Sequence, residues 1–184
     1  MKNILELDKL SKKFGRITAV DELSFSVQKG SVFGILGPNG SGKTTTLGML
    51  LGVTRPLSGS FSWFEGESSQ KAKQKIGSLL ETPNFYPYMT ARQNLKLVSK
   101  IKGIQNPNIE EVLEQVKLLE RADDKFKTYS LGMKQRLAIA SALLGTPEVL
   151  VLDEPTNGLD PKGIADIRDL ILQIADRGIT VIMA

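Results

Sequence analysis

Gly37-Pro-Asn-Gly-Ser-Gly-Lys-Thr44 matches the pattern G-x-x-x-x-G-K-[ST] at every fixed position, between an apolar strand-like run at 32–36 and a helix-like segment at 45–51. Strand, glycine loop and helix in that order make a phosphate cradle. Gly37, Gly40 and Gly42 are expected to take positive φ, so that successive N–H groups along 37–45, those of Asn39, Ser41 and Thr45 included, converge on an anion. That anion would lie at a helix N-terminus, where the dipole also favours it. Lys43 then bridges the β- and γ-phosphates, and Thr44 offers its hydroxyl to Mg²⁺. An ordinary glycine turn is the weaker reading, because the flanking strand and helix are both in place.

Working outward, 184 residues suit one domain with a proper core, and 41% hydrophobic with 24% charged residues is ordinary for a globular chain. No apolar run approaches a membrane span, and Met1-Lys-Asn-Ile-Leu-Glu-Leu-Asp8 carries acids where a signal peptide is apolar. A cytosolic chain is expected. The absence of cysteine excludes disulfides, thiolate metal sites and thiol nucleophiles. The absence of histidine excludes imidazole acid–base chemistry, so any hydrolysis must use carboxylates, lysine, Mg²⁺ and backbone donors. The net charge of +4 comes from scattered clusters (Lys12, Lys13 and Arg16; Lys71, Lys73 and Lys75; Lys125 and Lys127) without interleaved aromatics. These read as solvated surface, and no nucleic-acid partner is expected.

Short strand-like runs at 4–10, 23–27, 31–36, 59–64 and 76–80 are separated by turn signals such as Lys13-Phe-Gly15 and Gln28-Lys-Gly30. Helical signals follow. Thr90-x-x-Gln93 reads as a capping box ahead of Leu95, Val98 and Ile101, stopped at Gly103. Asn108-x-x-Glu111 repeats the signal, with Ile109, Val112, Leu113, Val116 and Leu119 on one face. A third helix is expected over 133–144. Residues 83–146 thus read as a helical insert in an α/β core that occupies 1–82 and 147–184. The core resumes with Glu148-Val-Leu-Val-Leu-Asp153, an apolar strand of the buried parallel type. Asp160-Pro161 then caps a helix to Arg177, and 179–184 begins another buried strand.

Asp153 and Glu154 end that apolar strand as adjacent acids, a costly arrangement unless a cation sits there. Asp153 is therefore placed to hold Mg²⁺, and Glu154 to polarise a water attacking the γ-phosphate. Without the upstream glycine loop, a surface acid pair would be the better reading.

Lys13-Phe-Gly15, Tyr129-Ser-Leu-Gly-Met-Lys-Gln-Arg136 and Asn157-Gly-Leu-Asp160, in this order around the two motifs, resemble the nucleotide-binding domain of ABC transporters across the whole chain. The resemblance implies an α/β P-loop core with a mainly parallel sheet, an N-terminal antiparallel β subdomain and an inserted helical subdomain. It implies that ATP and Mg²⁺ bind, with Phe14 stacking on adenine. It also implies a head-to-tail dimer in which Ser130 and Gly132 of one copy close on ATP held by the other, while Asp160 closes the loop that communicates between them. Transmembrane permease subunits would be the further partners, with the protein peripheral on the inner face of the membrane. Plainer roles stand beside these: Phe14 as a hairpin plug, Ser130 as the N-cap of its helix.

The departures from the family pattern are specific. Glu81 stands where most members have a glutamine; it can reach Mg²⁺ or its water but donates no hydrogen bond. Leu131 and Met133 replace a glycine and a glutamine of the signature. Together these resemble bacterial exporters linked to bacitracin and lantibiotic resistance, or else drift in a generic exporter ATPase. Members also place a histidine after the strand following Gly-x-Thr-Val, whereas this sequence runs Gly178-Ile-Thr-Val-Ile-Met-Ala184, so the expectation is a domain lacking its C-terminal part. Competing classes fit less well. A DNA-repair ATPase would insert long coiled coils between Lys43 and Ser130, a translation factor would carry two such domains, and a non-catalytic module leaves Glu154 unexplained.

Overall fold

The computed structural model describes residues 2–67, 69–80 and 85–184. β1 (Asn3–Phe14) and β2 (Ile17–Gln28) form a long hairpin whose last pair is Phe14 with Ile17, and β4 (Ser58–Trp63) flanks β1 on the other side, giving the antiparallel order β2-β1-β4. Both hairpin strands outrun the apolar stretches that announced them. The reason is a bulge at Lys9, φ 46°, with a register shift between Leu7 and Leu10. Leu5 and Leu7 alternate inward; the extra residue then returns Leu10, not Lys9, to the buried face. Hydrogen bonds from Lys9 N to Ser24 Oγ and from Glu22 N to Ser11 Oγ, each 2.8 Å, satisfy the disrupted ladder.

The second sheet is parallel, in the order β3 (Val32–Gly34), β7 (Thr180–Met183), β6 (Val149–Leu152), β5 (Ile76–Leu79). Every residue of β6 is buried, as its uninterrupted apolar run requires of a strand covered on both faces. Val149 and Val151 pack with Leu47, Met49 and the antiparallel sheet, whereas Leu150 and Leu152 pack with the helices on the opposite face. Pairings of Gly34 with Met183, Leu152 with Met183 and Leu79 with Leu152 bring the four carboxyl ends level. The loops after β3, β6 and β5 therefore leave from one edge, where open α/β sheets bind ligands.

The helices are α1 (Lys43–Leu50), α2 (Ser69–Gln74), α3 (Ala91–Ile101), α4 (Ile109–Gln115), α5 (Leu131–Leu143) and α6 (Pro161–Asp176). Thr90 and Gln93 form the expected capping box at α3. Asn108 does not repeat it: its side-chain oxygen accepts from Gly145 N at 3.0 Å and ties α4 to the end of α5. The expected α4 face is also cut short. Lys117 turns left-handed at φ 57°, and Leu119 opens a 3-10 turn, 38% exposed, instead of joining the buried stripe. α2 carries no periodic apolar signal, since among its described side chains Ala72 alone joins the core. No described helix is long and apolar enough to cross a membrane.

Candidate functional site at the carboxyl edge of the parallel sheet

Residues 35–42 run from β3 into α1, and Gly42 is the N-cap of α1 at φ 90°, with no side chain among the described residues capping that helix. Gly42 is doubly constrained: its φ is left-handed, and a Cβ there would run into the carbonyl oxygen of Ala19 on β2. Gly40 also has positive φ, 82°, but Gly37 does not, which corrects the expectation for that residue. At Gly37 a Cβ would press on the Ser41 side chain, whose hydroxyl would have to turn away. Asn39, Gly40 and Ser41 are exposed on the loop, and Thr45 is half-buried in the first turn of α1. Lys43 Nζ donates to the carbonyls of Gly37 at 2.9 Å and Pro38 at 3.1 Å, holding the loop around its own ammonium. Ser41 N donates to Pro38 O at 3.2 Å. The first-turn N–H groups of α1 have no side-chain cap among the described residues, so the start of α1 is an open helix N-terminus with a cation beside it, suited to an anion.

Across the edge, Asp153 N donates to Leu79 O at 2.8 Å, fixing the residue after β6 against the end of β5. Asp153 Oδ1 is buried and has no hydrogen-bond partner among the described residues. An orphaned carboxylate oxygen in such a place calls for a cation or its water. Asp153, Glu154, Thr44, Gln135 and Asn157 line one cavity of about 350 Å³. Glu154 has φ 44°, a left-handed conformation that a residue with a side chain holds only when its neighbours enforce it. Gln135 and Asn157 went unassigned in the sequence, although both lie inside segments that carried the resemblance. Their signal there was position alone.

Ser130, Gly132 and Asp160 belong elsewhere. They line a second cavity of about 480 Å³ between the starts of α5 and α6, closed on one side by the 2.6 Å ion pair of Arg136 with Asp166. Ser130 caps α5, accepting from Met133 N at 3.3 Å, and Asp160 caps α6, accepting from Gly163 N at 3.0 Å. Phe14 lines neither cavity. It sits at the hairpin tip, 52% exposed, with Lys12 Nζ 5.2 Å from its ring centre, so it does not plug the hairpin. Glu81 lies outside the described residues.

The family model for the ABC transporter matches residues 20–157, which takes in every residue of the first cavity and Ser130, Gly132 and Arg136 of the second. The chain belongs to the ABC transporter family. Bacitracin transport ATP-binding protein BcrA of Bacillus licheniformis is 48% identical, over all of this chain and 62% of that protein. Lantibiotic transport ATP-binding protein SrtF of Streptococcus pyogenes is 38% identical over 98% of this chain and 79% of its own length. Thus the chain spans less than two thirds of the length of several relatives it matches. Among solved structures, an ATP-binding cassette of an ABC transporter in its ADP conformation is similar at a TM-score of 0.88 and 28% identity, over 100% of this chain and 81% of that one. A dimeric cassette in a post-hydrolysis state, bound to ADP and Pi, is similar at a TM-score of 0.80 and 28% identity, over 97% and 86% of the two chains. The fold is accordingly the α/β P-loop core of that family, with its antiparallel β part and its inserted helices.

Proposed function

We propose that the chain is the ATP-binding part of a bacterial ABC exporter, hydrolysing Mg-ATP to move membrane-embedded partner subunits. The observation that carries this reading is the meeting, at one sheet edge, of a phosphate cradle with a buried carboxylate oxygen that has no partner among the described residues. Lys43 would hold the β- and γ-phosphates, with the N–H groups of residues 37–45 around them and Phe14 stacking on the adenine. Thr44 Oγ1 and Asp153 fit a magnesium ion, Asp153 directly or through water. Phosphate oxygens and water would contribute to the ion's oxygen shell. Bound there, Mg²⁺ supplies charge to the phosphate oxygens. Glu154 orients the attacking water and draws on its proton; Glu81 is assigned to the same ion or its water.

Ser130, Gly132 and Asp160 stand in their own cavity, apart from Thr44 and Asp153, which suits a head-to-tail pair of copies. Each copy would then present this second cavity to the nucleotide of the other. Transmembrane permease subunits would engage the chain around Glu81 and the segment 83–88, and the protein would work on the inner face of the membrane. The names of BcrA and SrtF favour peptide antibiotics as the class of cargo. The test is metal dependence: Asp153→Asn is expected to keep ATP binding in EDTA and to lose the gain in affinity that Mg²⁺ gives the unaltered protein. An unchanged Mg²⁺ gain in Asp153→Asn would remove the aspartate from the site.

A further inference from the structure

Glu154 is held by three hydrogen bonds of different origin. Its backbone N–H donates to Ala184 O at 3.1 Å, next to the end of β7, and its carbonyl accepts from Asn157 N at 3.1 Å, closing a turn. Its carboxylate oxygen Oε2 accepts from Asn157 Nδ2 at 3.0 Å. The first two account for the left-handed backbone at Glu154, which isolated chain would not keep. The third acts on the reactive end of the side chain. A glutamate has three rotatable side-chain bonds, and one exposed at a cavity rim samples many positions unless something restrains its carboxylate.

We propose that Asn157 is a positioning residue for Glu154, aiming its carboxylate into the cavity shared with Thr44 and Asp153. This rests on the reading of Glu154 as the group that orients water. Asn157 suits the task because its amide has two N–H donors. One is spent on Oε2, which leaves Oε1 as the oxygen free to accept from water. Asn157 also lines the same cavity, so its bond pulls the carboxylate toward that space. Its backbone N–H also closes the turn on Glu154 O, a bond that any residue with an N–H at this position can make.

The two roles of Asn157, turn former and donor, are separable by substitution. Aspartate has the same shape and the same taste for turns, but it accepts where asparagine donates and adds a like charge beside Glu154. The experiment measures steady-state Mg-ATP hydrolysis in the complete protein for Asn157→Asp, Asn157→Ala, Glu154→Gln and the double variant Asn157→Ala with Glu154→Gln. Both single changes at Asn157 are expected to lower kcat roughly tenfold or more, with KM for ATP near that of the unaltered protein. The double variant should match Glu154→Gln alone, because a positioning residue has nothing left to position. Normal kcat in Asn157→Asp would overturn the donor role and leave only the turn. A further loss in the double variant would place the action of Asn157 elsewhere. If Glu154→Gln itself hydrolyses ATP normally, the reading of Glu154 fails first, and the role given to Asn157 falls with it.

Discussion

The two cavities are made from similar parts, a loop meeting a helix N-terminus, yet they leave their polar groups in opposite states. At the start of α5 and α6, Ser130 and Asp160 spend their side-chain oxygens on the free N–H groups of their own helices. At the start of α1, Gly42 brings no side chain, Lys43 turns back on two loop carbonyls, and Asp153 Oδ1 across the edge is buried without a partner among the described residues. The first arrangement is complete in a single chain; the second is completed by what binds. A helix end closed by its own cap is finished as structure, and one left open beside a cation and an orphaned carboxylate is finished only by a charged ligand.

The largest effect expected from that contrast falls on turnover. Glu154→Gln should reduce ATP hydrolysis about 10²- to 10⁴-fold while leaving Mg-ATP affinity close to normal, read by phosphate release beside equilibrium binding. Parallel losses in both would mean that Glu154 holds nucleotide and does not act on water. Next in size is Phe14, outside both cavities. Phe14→Ala should weaken ATP binding by roughly 1–3 kcal/mol and Phe14→Tyr should be tolerated. Normal affinity in Phe14→Ala would remove the ring from the base.

The closed cavity should behave differently. Ser130→Ala should lower thermal stability by about 1 kcal/mol through loss of the α5 cap, without changing ATP affinity in the monomer. A drop in monomer affinity would join the two cavities into one site and break the contrast. The smallest effect belongs to a surface network away from both. Glu148 takes a 2.8 Å hydrogen bond from Lys29, which holds its carboxyl below its ordinary range against the cost of burial, with the charges of Lys29 and Lys75 adding to it. A carboxyl depressed in the folded state stabilises above its unfolded pKa and loses that contribution as pH falls through the folded value. Glu148→Gln should therefore cost at most about 1 kcal/mol at neutral pH and nothing in acid, by chemical denaturation at the two pH values.

What the sequence made legible follows from what kind of signal each element carried. β6 showed itself because a strand covered on both faces is apolar without interruption, and α1 because its glycine loop has a fixed spacing. Asp160-Pro161 announced α6 through cap and first-turn chemistry, and Asp160 does cap it. α2 was silent because a short helix burying one alanine carries almost no periodicity. Leu119 misled because the apolar spacing continued past Lys117, where the backbone reverses hand. In the site, Lys43, Thr44, Asp153 and Glu154 were recognisable by type and spacing. Gln135 and Asn157 were not, since amides at a cavity rim have no spacing of their own and are defined by what they reach in three dimensions.

The most direct test of the open cavity is titration calorimetry of Mg-ATP into the unaltered protein and into Lys43→Ala. Lys43 brings the formal positive charge to the cradle, and its amine faces the loop carbonyls around which the phosphates would lie. The expected result is a loss of well over tenfold in affinity, about 1.4 kcal/mol or more. Equal affinity in the two proteins would contradict the assignment of α1 and its loop as the phosphate site.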